Sequence, residues 1–337
     1  IYNIPPRWFV DLIAQKGLKL LIDIPLPTHL CFLDYPKEIE DARANVRKTV
    51  QSFAGHPAIF AYSLANEIKP DIARWSGAEK INSFINSLVE DAKNIDAGCL
   101  CTFGNYPPTE YLAPSAIDFY CFNVYLHQQK PFENYLARLQ MIANAKPIIL
   151  GETGIDSIRE GEDAKCEMLK WQIYTTFKSG FAGIFIFSLT DDWYRGGRKI
   201  TDWAMGITNA NREKKPSFYT VQQEFNAAPY YPLNDYPKVS VVVACYNGAR
   251  TLKACLDSLF QLNYPNYEVI LVDDGSTDAT PQIARLYSKL RCIRQKNYGL
   301  SVARNTGISM AVGEIVAFTD ADCRADEDWL YYLVNDL

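Results

Sequence analysis

The sequence contains no apolar run near the roughly 18 residues that a membrane span needs, and no long basic run. A formal net charge of only -5 on 337 residues argues against a nucleic-acid partner. The nine cysteines are odd in number and lack zinc-like spacing. A disulfide framework is therefore not expected, and a reduced, cytoplasmic setting fits best. Cys99 and Cys101, read as strand neighbours, are expected on opposite faces. No signal-peptide pattern opens the chain, which begins at Ile1 rather than Met. The expectation is a piece cut at both ends. Any anchor to the cytoplasmic face of a membrane would lie in parts of the parent missing from this chain.

The composition is globular, with 48% hydrophobic and 22% charged residues, and the length suits two domains. Short apolar runs alternate with amphipathic stretches over residues 5–226. The strand-like runs are LKLLIDI (18–24), AIFAYSL (58–64), CLCTF (99–103), IDFYCFNVY (117–125), PIIL (147–150) and GIFIFSL (183–189). Helical patterns occupy 38–54, 77–95 and 161–180. Near-continuous apolar strands between helices mean a parallel sheet covered on both faces. A (β/α)8-type TIM barrel lacking its first two strands is the preferred reading, with an open doubly wound sheet as the bland alternative. Residues 227–237 are proline-rich and aperiodic and read as a linker.

A second alternation fills 238–337. Strands are expected at 239–245, 267–274, 291–295 and 314–320, and helices at 249–262, 278–290 and 300–311. The helix at 278–290 is expected to be capped by Ser276 or Asp278, and another helix starts at Asp326. No G-x-G-x-x-G follows the first strand, which disfavours a dinucleotide fold.

Two carboxylates follow strands of the first half: Glu67 in Asn66-Glu67, and Glu152 in GETG. A lone glutamate there is usually a solvated acid. A pair at strand ends is what glycoside hydrolysis requires, one acid for the leaving oxygen and one for the anomeric carbon or a water. HPAIFAYSLANEI (56–68), IDFYCFNVY (117–125), KPIILGETG (146–154), GIFIFSLTDDW (183–193) and 202–225 resemble, in order, pieces of glycoside hydrolase clan A, especially its β-galactosidase/β-glucuronidase branch. The resemblance implies Glu67 as general acid/base, Glu152 as nucleophile and a β-glycan substrate, with no cofactor. It implies that Asn66 bonds the sugar 2-hydroxyl, Tyr125 bonds the nucleophile and Trp193 lines the subsite. Retention requires carboxyl groups about 5–5.5 Å apart. Tyr62 stands where that branch often has tryptophan, so the sugar stays open. Asp23 is read as equally a cleft residue or a structural acid. His29 is read as a loop histidine with no role rather than a sugar ligand, His56 as part of a structural turn before Pro57, and Asp191 and Asp192 as loop caps.

The motifs ACYNG (244–248), VDDGSTD (272–278), NYGLSVARNTGI (297–308) and FTDADC (318–323) resemble family-2 inverting glycosyltransferases of the Rossmann-like GT-A fold. A nucleotide sugar leaves as a dense anion, which a hard cation held by oxygen ligands neutralises. The resemblance implies a UDP-sugar donor, with Asp273 and Asp274 on uracil or ribose, Asn247 lining the turn, and Arg304 and Asn305 facing the donor. Asp320 and Asp322 would hold ribose and Mg2+ or Mn2+. The family's base lies downstream of Leu337, and Asp326 and Asp328 stand too close to the metal motif to replace it. Cys245 and Cys323 are read as core thiols. The combined expectation is a bifunctional carbohydrate-active fragment. The alternative is a glycosyltransferase carrying a non-catalytic carbohydrate-binding barrel.

Overall fold

The computed structural model describes the chain except residues 28, 29, 196, 230–232, 234 and 336 and the side chain of residue 195. His29 therefore lies outside the described residues, as does part of the expected linker. The chain divides into two compact units, Ile1–Tyr231 and Pro232–Leu337.

The first unit runs α1 (Arg7–Gln15), β1 (Leu20–Asp23), α2 (Pro36–Phe53), β2 (Ile59–Asn66), α3 (Pro70–Ser76), α4 (Ala78–Ile95), β3 (Cys101–Asn105), β4 (Tyr120–Asn123), α5 (Gln129–Ala143), β5 (Ile148–Thr153), α6 (Ser157–Glu160), α7 (Glu162–Lys178) and β6 (Gly183–Ile186). A hairpin of β7 (Trp193–Arg195) and β8 (Arg198–Ile200) follows, then α8 (Pro216–Ala227). The expected linker thus begins on the last residue of a helix.

All six expected strands form, and every pairing is parallel in the order β1-β2-β3-β4-β5-β6. Strictly sequential order rules out a doubly wound sheet, which reverses direction at a switch point. The sheet curls as part of a barrel, and β1 and β6 are its ends.

The two-residue period sorts side chains between the faces. Ile22, Leu64, Phe103, Phe122 and Leu150 bury their side chains in one large core with Val46, Val50, Ile85, Leu88, Phe132, Leu136, Leu169 and Ile173 of the helices. Each such side chain contributes about 1.5–3 kcal/mol. The inner face carries only a small cluster of Ala61, Phe119, Cys121 and Ile149 beside Leu21, which leaves its upper end open.

Two sulfur atoms correct the expectation for Cys99 and Cys101. They lie 3.7 Å apart. Cys99 precedes β3, and residues two apart along an extended chain share a face. His56 behaves as read: one ring nitrogen accepts from Ala58 N at 3.2 Å and the other meets Asp11 at 3.0 Å.

The second unit contains β9 (Val239–Cys245), α9 (Leu252–Leu259), β10 (Tyr267–Asp273), α10 (Thr280–Ala284), β11 (Arg291–Arg294), α11 (Leu300–Met310), β12 (Ile315–Asp320) and α12 (Trp329–Asn335). Its parallel sheet has the order β11-β10-β9-β12, with a reversal between β9 and β12. All seven residues of β9 are buried, with helices on both faces. Gly307 of α11 lies so close to β9 that a Cβ there would stand 2.3 Å from Val242 Cγ1.

The helix expected over 278–290 shortens to α10. Its N-cap position is Ala279, one residue past the expected Asp278, whose carboxylate still accepts from the N–H of Thr280, the first residue of α10, and from Ala249 N. Cys245 is buried as expected, but Cys323 is exposed beyond the end of β12.

Candidate active site and nucleotide crevice

The first unit's pocket opens at the carboxyl ends of its strands and has a volume of about 630 Å3. Asp23, Ser63, Asn66, Asn123, Glu152 and Trp193 are among its lining residues. Register irregularities fall where the site residues stand, between Ser63 and Asn66 on β2 and between Phe122 and Asn123 on β4. On β5 Leu150 and Glu152 pair with consecutive residues of β4, so Gly151 is the extra residue of a bulge. Bulges re-aim side chains at strand ends. Gly151 has no alternative here, since a Cβ would meet Cys121 Sγ at 2.5 Å and Asn123 Oδ1 at 2.8 Å.

Glu152 is gripped from two sides. The Tyr2 hydroxyl donates to Oε1 at 2.7 Å, and the Tyr125 hydroxyl donates to Oε2 at 2.8 Å. Burial pushes its pKa up and the Glu67 charge adds to the rise, while the donors Tyr2, Tyr125 and Asn66 oppose it. Glu67 follows β2 with φ +47, in the left-handed region that a residue with a Cβ rarely adopts, and its N–H is tied to the Gly104 carbonyl at 2.8 Å. Backbone held in such a region concentrates at functional sites. Asn123 Nδ2 donates to Glu67 Oε1 at 3.0 Å and to Asn66 Oδ1 at 3.2 Å, locking Asn66 and Glu67 together.

One wall is aromatic. Phe187 meets Trp193 edge-on at 4.9 Å, stacks on Trp203 at 5.7 Å and faces Tyr2 at 6.3 Å. The loop carrying Trp203 is anchored from below by Lys165, whose fully buried amine donates to the Ala204 and Gly206 carbonyls. Burial, with Lys215 nearby, lowers its pKa to about 8. Asp191 is structural, accepting from Gly206 N and pairing with Lys215, and Asp192 pairs with Lys199.

The structure thus brings Asn66, Glu67, Tyr125, Glu152 and Trp193 to one pocket region. Tyr2, Asn123 and Phe187 were missed by sequence reasoning. Asn123 sits two residues before Tyr125 on the same face, which is a signal the sequence did carry. Nothing local marks Tyr2, which approaches because Ile1 hydrogen-bonds along β1, to Leu21 O and from Asp23 N.

In the second unit the crevice lies where the sheet order reverses, at the ends of β9 and β12. Asn247 has φ +51, and its Oδ1 accepts from Thr277 N at 2.8 Å. The N–H groups of Asn247, Gly248 and Ala249 bond Ser276, Thr280 and Asp278, which fastens the turn after β9 to the turn after β10.

The two acids at the end of β10 are held by the turns around them. Asp273 is 1% exposed, accepts from Ser276 N and lies 3.4 Å from Arg294. Asp274 accepts from Gln295 Nε2, Tyr298 N and Gly299 N. Burial opposes ionisation of Asp274, yet these donors hold its pKa below the usual carboxylate range. Both carboxylates accept hydrogen bonds from their own loops, and the buried Asp273 Oδ2 makes none.

Asp320 and Asp322 are exposed at the end of β12, and Arg304 of α11 pairs with Asp320 at 2.8 Å. Asn305 is exposed beside Arg304. Among the described residues no cluster of three or more His, Cys, Asp or Glu could hold a metal alone. Two carboxylates suit a hard cation that takes its other oxygens from water and a diphosphate.

Residues 240–337 match Glycosyl transferase family 2. A similar protein is "Putative glycosyltransferase EpsH" of Bacillus subtilis (strain 168), 44% identical over 98 residues, which are 28% of this chain and 27% of that protein. "Glycosyltransferase AglE" of Haloferax volcanii is 41% identical over 101 residues, 28% of this chain and 33% of that protein. The chain spans about a third or less of the length of the curated relatives it matches. Residues 240–337 are therefore a family-2 glycosyltransferase domain, and this homology supports glycosyl transfer. Among solved structures, a "b-glucuronidase from Ruminococcus gnavus in complex with D-glucuronic acid" aligns with a TM-score of 0.57 at 16% identity, covering 66% of this chain and 42% of that one. At that identity the likeness is one of fold.

Proposed function

We propose that the first unit cleaves or transfers β-glycosidic bonds with retention, while the second supplies the donor-binding part of an inverting glycosyltransferase that uses a UDP-sugar. The observation that carries the hydrolase reading is the pair of tyrosine hydroxyls on Glu152, within one pocket of the Asn66–Glu67–Asn123 network.

The chemistry follows from that arrangement. Glu152 attacks the anomeric carbon, and the leaving oxygen takes a proton from Glu67 as the glycosidic bond breaks. Tyr2 and Tyr125 oppose the rise in pKa that burial imposes on Glu152, favouring its ionised form, and aim one oxygen each. A water or an acceptor hydroxyl, deprotonated by Glu67, then displaces Glu152 from the glycosyl intermediate. The Asn66 amide, fixed by Asn123, is placed for the 2-hydroxyl, where a bond that strengthens in the transition state lowers the barrier. Trp193 and Phe187 offer the apolar face that sugar rings stack upon.

In the second unit Asp320 and Asp322 would hold Mg2+ or Mn2+, which would supply charge neutralisation to the departing diphosphate. Arg304 would turn from Asp320 to the same anion. Donor binding is the step that these residues of the second unit support.

The test is turnover of aryl β-glycosides by the chain and its Glu152→Ala variant, with and without azide. Loss of about a thousandfold or more, restored by azide as the glycosyl azide of inverted configuration, supports Glu152 as nucleophile. A folded protein that binds β-glycans but turns none over would leave a binding barrel beside a transferase.

A further inference from the structure

The pocket contains an acid that the double displacement does not use. Asp23 ends β1 on the inner face of the sheet and lines the cavity with Glu152. Its Oδ1 is buried and has no hydrogen-bond partner. Burial pushes its pKa up to about 6, with the Ser63 hydroxyl and the Ile1 ammonium pulling against that rise and the Glu152 charge adding to it. A buried carboxylate oxygen without a donor is costly to keep. Its neighbours on the inner face, Leu21, Ser63 and Cys121, offer no cation. A fold that needed only to fill this position would do better with an apolar residue.

The charge of the whole lining points the same way. Among the described residues that line the pocket, two are acids, Asp23 and Glu152, none is lysine, arginine or histidine, and the one cation is the Ile1 ammonium, which donates to Leu21 O. Glu67 adds a third acid one residue beyond Asn66. An anionic sugar brought here would meet two carboxylates, with no guanidinium to receive its own and only an ammonium that already donates to the Leu21 carbonyl at 2.9 Å.

We infer that Asp23 is the specificity-determining residue of this pocket, taking a hydroxyl of an uncharged hexosyl group through Oδ1 and excluding uronosyl groups. The inference rests on the proposed glycosidase reading for its reaction, although not for its binding. A sugar hydroxyl supplies the missing donor, and a carboxylate acceptor makes that bond stronger than a neutral one would. The repulsion is worth on the order of a hundredfold in discrimination for one added charge at this depth.

Two measurements on the 337-residue chain test it. The first pairs 4-nitrophenyl β-glucoside with the glucuronide, and the galactoside with the galacturonide. The expected result is kcat/KM at least about a hundredfold higher for the neutral member of the pair that is turned over. Asp23→Asn should raise KM for that substrate roughly tenfold, with a smaller effect on kcat, and narrow the discrimination by a similar factor. Equal or better turnover of the uronide overturns the inference.

The second measurement follows binding of methyl β-glucoside, methyl β-galactoside and the two methyl β-uronides to Glu152→Gln protein by saturation-transfer NMR. Neutral binding that Asp23→Ala abolishes supports the inference even if the wild type turns nothing over, an outcome in which only the hydrolase reading fails. Uronide binding as strong as neutral binding, neutral binding untouched by Asp23→Ala, or no binding of any of the four overturns it.

Discussion

The two units treat their acids in opposite ways. In the first, Glu152 and Glu67 face a cavity and are held by side chains from other elements, two tyrosines and Asn123. In the second, Asp273, Asp274 and Asp278 accept from the N–H groups of nearby loops, and the exposed acids, Asp320 and Asp322, stand at the strand end with Arg304 on one of them. The first site is organised before its ligand arrives, because its acids already accept from side chains of other elements, and one of these donors, Asn123, is buried. The second is organised at its floor alone, so its ligand must complete it. Loss of a donor in the first unit should therefore cost far more than loss of a partner in the second.

The sharpest test of that difference is the floor under Asn66. A Cβ at Gly104 would stand 2.2 Å from Asn66 Oδ1, so Gly104→Ala must displace that amide. Turnover of the preferred β-glycoside should fall by roughly a hundredfold, since misplacement near an angstrom costs about that much. A Gly104→Ala protein with wild-type kcat would break the claim of a preformed site.

Tyr125→Phe should act next, lowering kcat roughly ten- to a hundredfold. Removing its donor leaves burial of Glu152 less opposed, so the already raised pKa rises further. The nucleophile must be ionised, so the acid limb of the kcat/KM profile should move to higher pH. A fall in rate with an unmoved limb would mean that Tyr125 positions the sugar rather than the carboxylate.

Asp23 allows the same contrast to be read as stability. Its folded pKa of about 6 stands above the ordinary value of 3.8. The folded state keeps the proton longer than the unfolded one, so the penalty grows as pH rises from about 4 to 6 and is full above that. Asp23→Asn should stabilise the first unit by ~1–3 kcal/mol at pH 7–8, with the gain shrinking toward zero as pH falls to 4. Denaturant unfolding across that range measures it. A gain independent of pH would mean that charge burial is not the cause.

How much was legible in the sequence also differs between the units. Strands β2, β5 and β9 carry largely apolar runs, and their positions could be read because burial writes itself into composition. The pairing of Glu67 with Glu152 was readable as two strand ends in one sheet. Tyr2 was not, since nothing local marks it, and Asn123 showed only through its spacing from Tyr125, because a polar residue at a strand end looks the same whether it bonds a catalytic acid or water. The VDDGSTD motif marked the crevice, but a motif records residue types and not the loop donors that reach Asp273 and Asp274. The short α10 has a similar cause: apolar spacing over 278–290 promised a helix, while the structure runs on from Ala284 through Leu290 to β11 without extending it.

The smallest expected effect lies in the pair Arg304–Asp320. Both partners are well exposed, at 40% and 56%, so solvent and salt screen the attraction and its net worth is small. The guanidinium nevertheless occupies one oxygen of an acid proposed to bind the cation. Arg304→Ala should tighten Mn2+ binding in the absence of nucleotide by a few-fold at low ionic strength, and the difference should fade by about 0.5 M salt as the screening length shortens. With UDP present the sign should reverse, because the diphosphate then loses a cationic partner while the metal gains nothing further. Titration of Mn2+ by paramagnetic resonance, with and without UDP, separates the two arms. Affinity that is unchanged without UDP would mean that Arg304 does not compete for the metal. Affinity that is also unchanged with UDP would remove Arg304 from the donor site.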